Sequence, residues 1–377
     1  MRSVYLDHAA TTPVDPRVLE KMLPYFSENF GNPDSLHACG RRAVAAVDDA
    51  RDVVAALLGA SASEIYFTSG GTEADNWAMR GAAHAAYGKH IVVGATEHHA
   101  VLGAAEMLAG EGYAVSYAPV DAQGKADLPA LSSLVRGDTA LVAFMAANNE
   151  VGTVQPVAQM AAIAHERGAL FFTDAVQAAG CMELNVRKLG ADLLSLSAHK
   201  FYGPKGVGAL YIRGGTPMAK LISGGQQERG MRGGTINVPG VVGMAEAFRL
   251  ACAEREERNA HISRVRDLFV EGILREVPGS VLGGHPEDRL PGNAHFTFEG
   301  APAEALLPLL DLAGVQASAG AACSSGSHEP SHVLLAMGRP RSLSRGVRFT
   351  FGKDSSEEDA LFAVSAVRDC VARLRTK

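Results

Sequence analysis

The stretch Ala169-Leu170-Phe171-Phe172-Thr173-Asp174-Ala175-Val176-Gln177 decides the fold, read with the segments on either side of it. It is an apolar run of strand length that ends on a carboxylate. Before it stands Pro156-Val157-Ala158-Gln159-Met160-Ala161-Ala162-Ile163-Ala164-His165-Glu166-Arg167-Gly168, with proline near its start, apolar residues at helical spacing and glycine past its end. That punctuation predicts a helix. After it comes a second apolar run, Leu193-Leu194-Ser195-Leu196. Similar runs lie at Glu64–Thr68, Ile91–Val93, Leu141–Met145 and Val207–Ile212, most of them separated by helical stretches. The alternation predicts an α/β fold with a mostly parallel sheet flanked by helices. Strands covered on both faces lose the polar–apolar alternation, which explains their continuous apolar character.

Beyond Ile212 the pattern changes to a Gly-rich loop and then to one long helical region, about Val238 to Val277, with the charged centre Glu254-Arg255-Glu256-Glu257-Arg258. It reads as a helix bridging two domains. Further on, Ala294–Phe298 and Gly346–Phe351 alternate with helical stretches, as in a smaller α+β domain. A chain of 377 residues accommodates two such units.

Composition narrows the function. With 47% hydrophobic and 20% charged residues the chain has a globular composition. Its net charge of -6, without a basic block, argues against nucleic acid or a membrane surface as the main partner. No apolar run is long enough to span a bilayer. Asp7 interrupts the N-terminal segment before any export-length apolar stretch, so a cytoplasmic location is expected. Five cysteines, odd in number and without a Cys-x-x-Cys pair, fit neither a disulfide framework nor a zinc site, and no metal is expected.

In an open α/β sheet, ligands bind beyond the carboxyl ends of the strands. Thr68-Ser69-Gly70-Gly71-Thr72-Glu73 follows one strand and opens a helix: a phosphate cradle, or an ordinary turn capped by Thr72. Glu97-His98-His99 follows another, and His98 could stack on a planar ring and move protons, or lie at the surface. Asp174, desolvated at a strand end, needs a cation; the protonated nitrogen of a pyridine ring is one, and an N-cap or a structural ion pair is the alternative. Ser197-Ala198-His199-Lys200 offers a Schiff-base lysine, with Lys205 as a competitor on a Pro-Lys-Gly corner. Cys323, set among small residues in Ala319–Ser327, is the best candidate nucleophile of the five cysteines. Arg348, inside a β-type run, would need an anionic partner such as a substrate carboxylate.

The motifs Tyr5-Leu6-Asp7 with Ala10-Thr11-Thr12-Pro13, Gly31-Asn32-Pro33, Phe67–Glu73, Asn148-Asn149-Glu150-Val151-Gly152, Asp174–Gln177, Ser197–Lys200, Arg229–Thr235 and Ala322–Ser331 together resemble the cysteine desulfurases, over essentially the whole chain. These are pyridoxal-phosphate enzymes of the aspartate-aminotransferase fold type, and the resemblance is to the class with the longer catalytic cysteine loop. His328, where a leucine is usual, and His8 depart from the family pattern.

The resemblance implies a large domain over 13–255 and a small one over 1–12 and 256–377. It implies Lys200 as the cofactor lysine, His98 on the ring, Asp174 on the pyridine nitrogen, Gln177 on the phenolic oxygen and Asn149 at the ring or substrate. Gly71, Thr72, Ser197 and His199 would hold the phosphate. Thr235 would reach the neighbouring subunit's cofactor in a homodimer, Asn32 and Arg348 would bind the substrate carboxylate, and Cys323 would carry the persulfide. The implied activity converts L-cysteine to L-alanine and passes sulfur to an acceptor such as an iron–sulfur scaffold protein. A selenocysteine lyase on the same scaffold, and a catalytically silent sulfur-transfer scaffold, are the rival readings.

Overall fold

The apolar runs are buried strands in the structure, a computed structural model that describes residues 2–320 and 330–376. Twelve strands are present among them: β1 (Val4–Tyr5), β2 (Ile65–Thr68), β3 (His90–Gly94), β4 (Ala114–Ala118), β5 (Thr139–Ala143), β6 (Leu170–Asp174), β7 (Leu193–Ser197), β8 (Gly208–Ile212), β9 (Ser280–Gly283), β10 (Asn293–Phe298), β11 (Val315–Gln316) and β12 (Val347–Thr350). Seven form the central sheet in the order β2-β8-β7-β6-β5-β3-β4. The steps from β7 to β4 are parallel, whereas β8 is antiparallel to both neighbours. Two antiparallel steps restore the direction, so β2 ends at the same edge of the sheet as β3, β5, β6 and β7. That edge carries the site.

Every residue of β3, β5, β7 and β8 is buried. Helices cover both faces: Gly71–Ala85 and His99–Gly110 enclose one core with Trp77, Ile91, Val93 and Phe172, while Ala38–Leu58, Val157–Glu166 and Val238–Ala253 enclose another with Val142, Phe144 and Phe171.

A further core lies around the antiparallel sheet β12-β10-β9. Ile262, Val265, Phe269 and Ile273 recur at three- and four-residue spacing along the helix Arg255–Glu276 and are buried there with residues of the helix Glu357–Arg375. Val4 and Leu6 join the same core, and β1 pairs in parallel with β11. Phe269 is fully buried with its ring centroid 4.9 Å from that of Phe349 and 5.4 Å from that of Phe351. Leu290, Val333, Leu334 and Met337 pack instead on the large core beneath the central sheet.

The expected single helix from Val238 to Val277 is two helices, Val238–Ala253 and Arg255–Glu276, broken at Glu254. At the break the Glu254 carboxylate lies 2.5 Å from both Arg258 and Arg17, the latter from outside the helical region.

Candidate active site

A cleft at the carboxyl edge of the sheet is lined by Gly71, Thr72, His98, Asn149, Asp174, Gln177, Ser197, His199, Lys200 and Arg348. Ten of the thirteen residues expected from the sequence are therefore brought together. Asn32 and Thr235 line a different recess, shared with Phe30 and Pro33. Cys323 lies outside the described residues.

Lys200 sits in the single 3-10 turn that follows β7, and its Nζ donates to the carbonyls of Ala9 and Ala10 at 2.7 and 2.8 Å. The same N-terminal segment binds Gln177, whose Nε2 donates to Ala9 O at 3.0 Å. Thr11 Oγ1 stands 3.1 Å from His199 Nδ1. The segment thus pins three members of the cleft from one side. Sequence reasoning could not find this role for Ala9 and Ala10, because it is played by backbone carbonyls.

Asp174, at the end of β6, accepts a hydrogen bond from Val176 N–H at 2.8 Å. Burial pushes its carboxyl up to about 6, against the opposing pull of the Lys200 ammonium. A second carboxyl, Asp75, is buried beside it and also pushed well above its usual range, first by desolvation and then by Asp174. Asp75 was not singled out from sequence. Its signal was a carboxylate among Ala74, Trp77 and Ala78, the buried positions of its helix. Ser195 Oγ donates to its Oδ1 at 2.6 Å.

His98 caps the helix His99–Gly110, its Nδ1 accepting from Ala100 N–H at 3.1 Å. Burial, followed by the nearby Lys200 charge, lowers its pKa to about 4, so the ring is neutral at physiological pH. His199 is lowered to about 4 by burial and then by Lys200 and Lys205. Arg348 is 2% exposed. Its Nη1 donates to Asn149 O at 2.8 Å and its Nη2 to Asp7 Oδ1 at 2.9 Å. Nε is buried without a partner among the described residues.

The residues present fit pyridoxal phosphate on three counts. The helix Gly71–Ala85 begins without any side-chain cap, leaving its first N–H groups for an anion. A methyl group added at Gly71 would stand 2.9 Å from Val176 Cγ2, so the bare backbone keeps that cradle open. The buried carboxyls of Asp174 and Asp75 each disfavour the other's charge, and a protonated pyridine nitrogen would supply the cation that lets Asp174 ionise.

Among the described cysteines, burial raises the thiol pKa of Cys181 to about 11 and also raises those of Cys252 and Cys370. These are poor nucleophiles, because the thiolate is the reactive form.

Fold and site define a pyridoxal-phosphate enzyme, and the chain belongs to the class-V aminotransferase family, whose model matches residues 4–361. A relative from Methanosarcina thermophila, cysteine desulfurase IscS, is 48% identical over 377 residues, covering 99% of this chain and 93% of its own. The protein is a cysteine desulfurase. A solved NifS-like protein superposes with a TM-score of 0.92 at 39% identity, covering 98% of this chain and all of the other. SspA, solved in complex with cysteine, superposes at 0.81 with 33% identity over 93% of this chain and 99% of its own. No described helix is long and apolar enough to cross a membrane.

Proposed function

We propose that the cleft binds L-cysteine beside pyridoxal phosphate, releases L-alanine and leaves the sulfur on Cys323 as a persulfide. The observation that carries this reading is the set of Lys200, Asp174, His98 and Arg348 around one cleft. In it Arg348, which lines the cleft and is oriented by Asp7 and Asn149, supplies the cation for the substrate carboxylate. Lys200 moves protons at the substrate carbons, close to the neutral ring of His98. Asp174 holds the proton on the pyridine nitrogen, and Gly71, Thr72, Ser197 and His199 hold the phosphate, with Gln177 at the phenolic oxygen and Asn149 beside the ring. When bound, pyridoxal phosphate supplies the sink for the electron pair left by the broken carbon–sulfur bond. Cys323 thiolate forms the new sulfur–sulfur bond, and the substrate carbon takes a proton to become the alanine methyl group.

The unit proposed is a homodimer in the cytoplasm, delivering sulfur to an acceptor such as an iron–sulfur scaffold protein. Leu23, Phe26, Phe30 and Leu36 are 56%, 61%, 69% and 91% exposed on one N-terminal stretch. An apolar patch of that kind marks an interaction surface. It adjoins the recess holding Asn32 and Thr235, which supports Thr235 serving the partner's cleft. Division into 13–255 and 1–12 with 256–377 is supported by the separate core that joins Val4 and Leu6 to Ile262, Phe269, Phe296, Phe349 and Val371.

The test is alanine production from cysteine by wild type and Cys323→Ser. Loss of alanine in the variant, with the visible absorbance of lysine-bound cofactor intact, is expected. Full activity in the variant would refute the assignment.

A further inference from the structure

Glu97 stands next to His98, is fully buried, and has no part in the roles above. Its place follows from how two strands separate. β3 and β5 are paired only as far as Val93 and Ala143. Beyond that point the chain after β5 stays beside β6, with Phe144 N–H donating to Phe172 O at 3.0 Å and Ala146 N–H to Asp174 O at 2.8 Å. Amides of an extended chain point alternately to its two sides, so Met145 N–H, between those two, faces the side that β3 has left. A buried N–H without an acceptor is costly. Glu97 supplies the acceptor, its Oε1 lying 2.8 Å from Met145 N. Gly94 leaves room for the carboxyl, since a Cβ added there would stand 2.7 Å from Oε1.

Asn148 ties the same two turns in the other direction. Its Nδ2 donates to Thr96 O at 2.9 Å, while its Oδ1 accepts the N–H groups of Glu150 and Val151, each at 2.9 Å. The turns after β3 and β5 are thus clamped reciprocally, each by a buried side chain on the other's backbone. The His98 ring has little freedom within that clamp. Its Nδ1 accepts from Ala100 N–H at 3.1 Å, so the ring follows the backbone of residues 96–100. Glu97 Oε2 is buried without a hydrogen-bond partner among the described residues. Burial raises this carboxyl well above its usual range, against the pull of the Met145 hydrogen bond and with the help of the Asp174 charge. It therefore holds a proton far more readily than an exposed glutamate, and glutamine is a close copy of its neutral form.

The geometry points to Glu97, with Asn148 opposite it, as a positioning residue that fixes where the His98 ring stands in the cleft. This rests on the role proposed for His98. It assigns Glu97 no contact with substrate or cofactor.

The test uses the pyridoxal-phosphate-loaded enzyme with Glu97→Ala, Glu97→Gln and Asn148→Asp, each alone and in a His98→Ala background. Alanine release from L-cysteine gives kcat and KM, and visible circular dichroism of the bound cofactor reports its surroundings without turnover. His98→Ala alone should lower kcat about tenfold or more. Glu97→Ala should lower kcat about tenfold and weaken the dichroic band, with KM within about threefold of wild type because Arg348 is untouched. Glu97→Gln keeps the acceptor and the shape, and should stay within about twofold of wild type in both readouts. Asn148→Asp loses only the donor to Thr96 and should lower kcat about threefold. In the His98→Ala background, Glu97→Ala should cost less than about twofold more, because its effect runs through the missing ring. An equal cost with and without His98 overturns the proposal. So does unchanged kcat in Glu97→Ala, equal loss in Glu97→Gln and Glu97→Ala, or a lowered kcat with unchanged dichroism. Should Glu97→Ala fail to fold, unchanged kcat in Asn148→Asp, or an equal cost of that variant in both backgrounds, overturns it instead. Failure of the underlying reading is distinguishable, because His98→Ala alone would then keep the wild-type rate, and the proposal would fall with it.

Discussion

Asp174 shows how a single residue ties stability to cofactor. An ordinary aspartate ionises near 4, whereas burial holds this one up to about 6. Between those values the folded protein keeps a proton that the unfolded chain has lost, so stability from this group falls as the pH rises through the window. Asp174→Asn removes the penalty. The cofactor-free variant should be more stable than wild type by about 1–3 kcal/mol at about pH 8 and equal to it at about pH 4. Urea unfolding at the two pH values measures this, and the same substitution should weaken cofactor binding. Equal stability at both pH values would mean that the carboxyl is neutralised within the protein.

Among the elements, the strand-to-helix turn after β2 is the most sensitive to a single methyl group. Gly71→Ala sets a Cβ 2.9 Å from Val176 Cγ2 and 3.4 Å from Ser197 Cβ, where the phosphate is proposed to lie. Its dissociation constant for pyridoxal phosphate should rise about tenfold or more, measured by cofactor titration of the apoprotein, with little change in the fold. An unchanged constant would place the phosphate elsewhere. The same turn shows why so much of this fold was legible. Strands β2, β3, β5, β6, β7 and β8 are continuous apolar runs because both faces are covered, and all but the antiparallel β8 end at the edge that carries the cleft. The edge strand β4 was missed because its residues are mostly half-buried or exposed and carry no such run. The two-residue strands β1 and β11 have no periodicity to read. At the break, Glu254 pairs with Arg17, 237 positions away in sequence, a contact that no helical pattern can show. In the site, side chains at strand ends could be read directly. The carbonyls of Ala9 and Ala10 and the apposition of Asp75 with Asp174 depend on the tertiary fold.

At the scale of the whole molecule, His8, His98 and His199 are each lowered to about 4 and His295 to about 3, mainly by burial. Each is protonated in the unfolded chain below about 6.5, while the folded protein excludes the proton until the pH falls further. Their contribution to stability is therefore complete above that value and is lost as the pH drops towards about 4, opposite in sign to Asp174. Replacing one buried ring, in His295→Gln, should make the urea midpoint of the apoprotein fall less between about pH 6.5 and 4 than it does in wild type; an unchanged pH profile would contradict a buried neutral ring. The exposed Leu23, Phe26, Phe30 and Leu36 give a second prediction. Light scattering should find twice the mass of one chain, and Phe26→Asp with Phe30→Asp should shift the population towards monomer; a wild-type monomer at micromolar concentration would count against the dimer. The central reaction is the movement of a sulfur atom from free cysteine to Cys323. The most direct measurement is a single turnover of the cofactor-loaded enzyme with L-cysteine, followed by intact-mass and peptide mass spectrometry. The expected result is one alanine released per active site and the mass of one sulfur atom added at Cys323. Alanine released with the added sulfur on another cysteine, or with none retained, would contradict it.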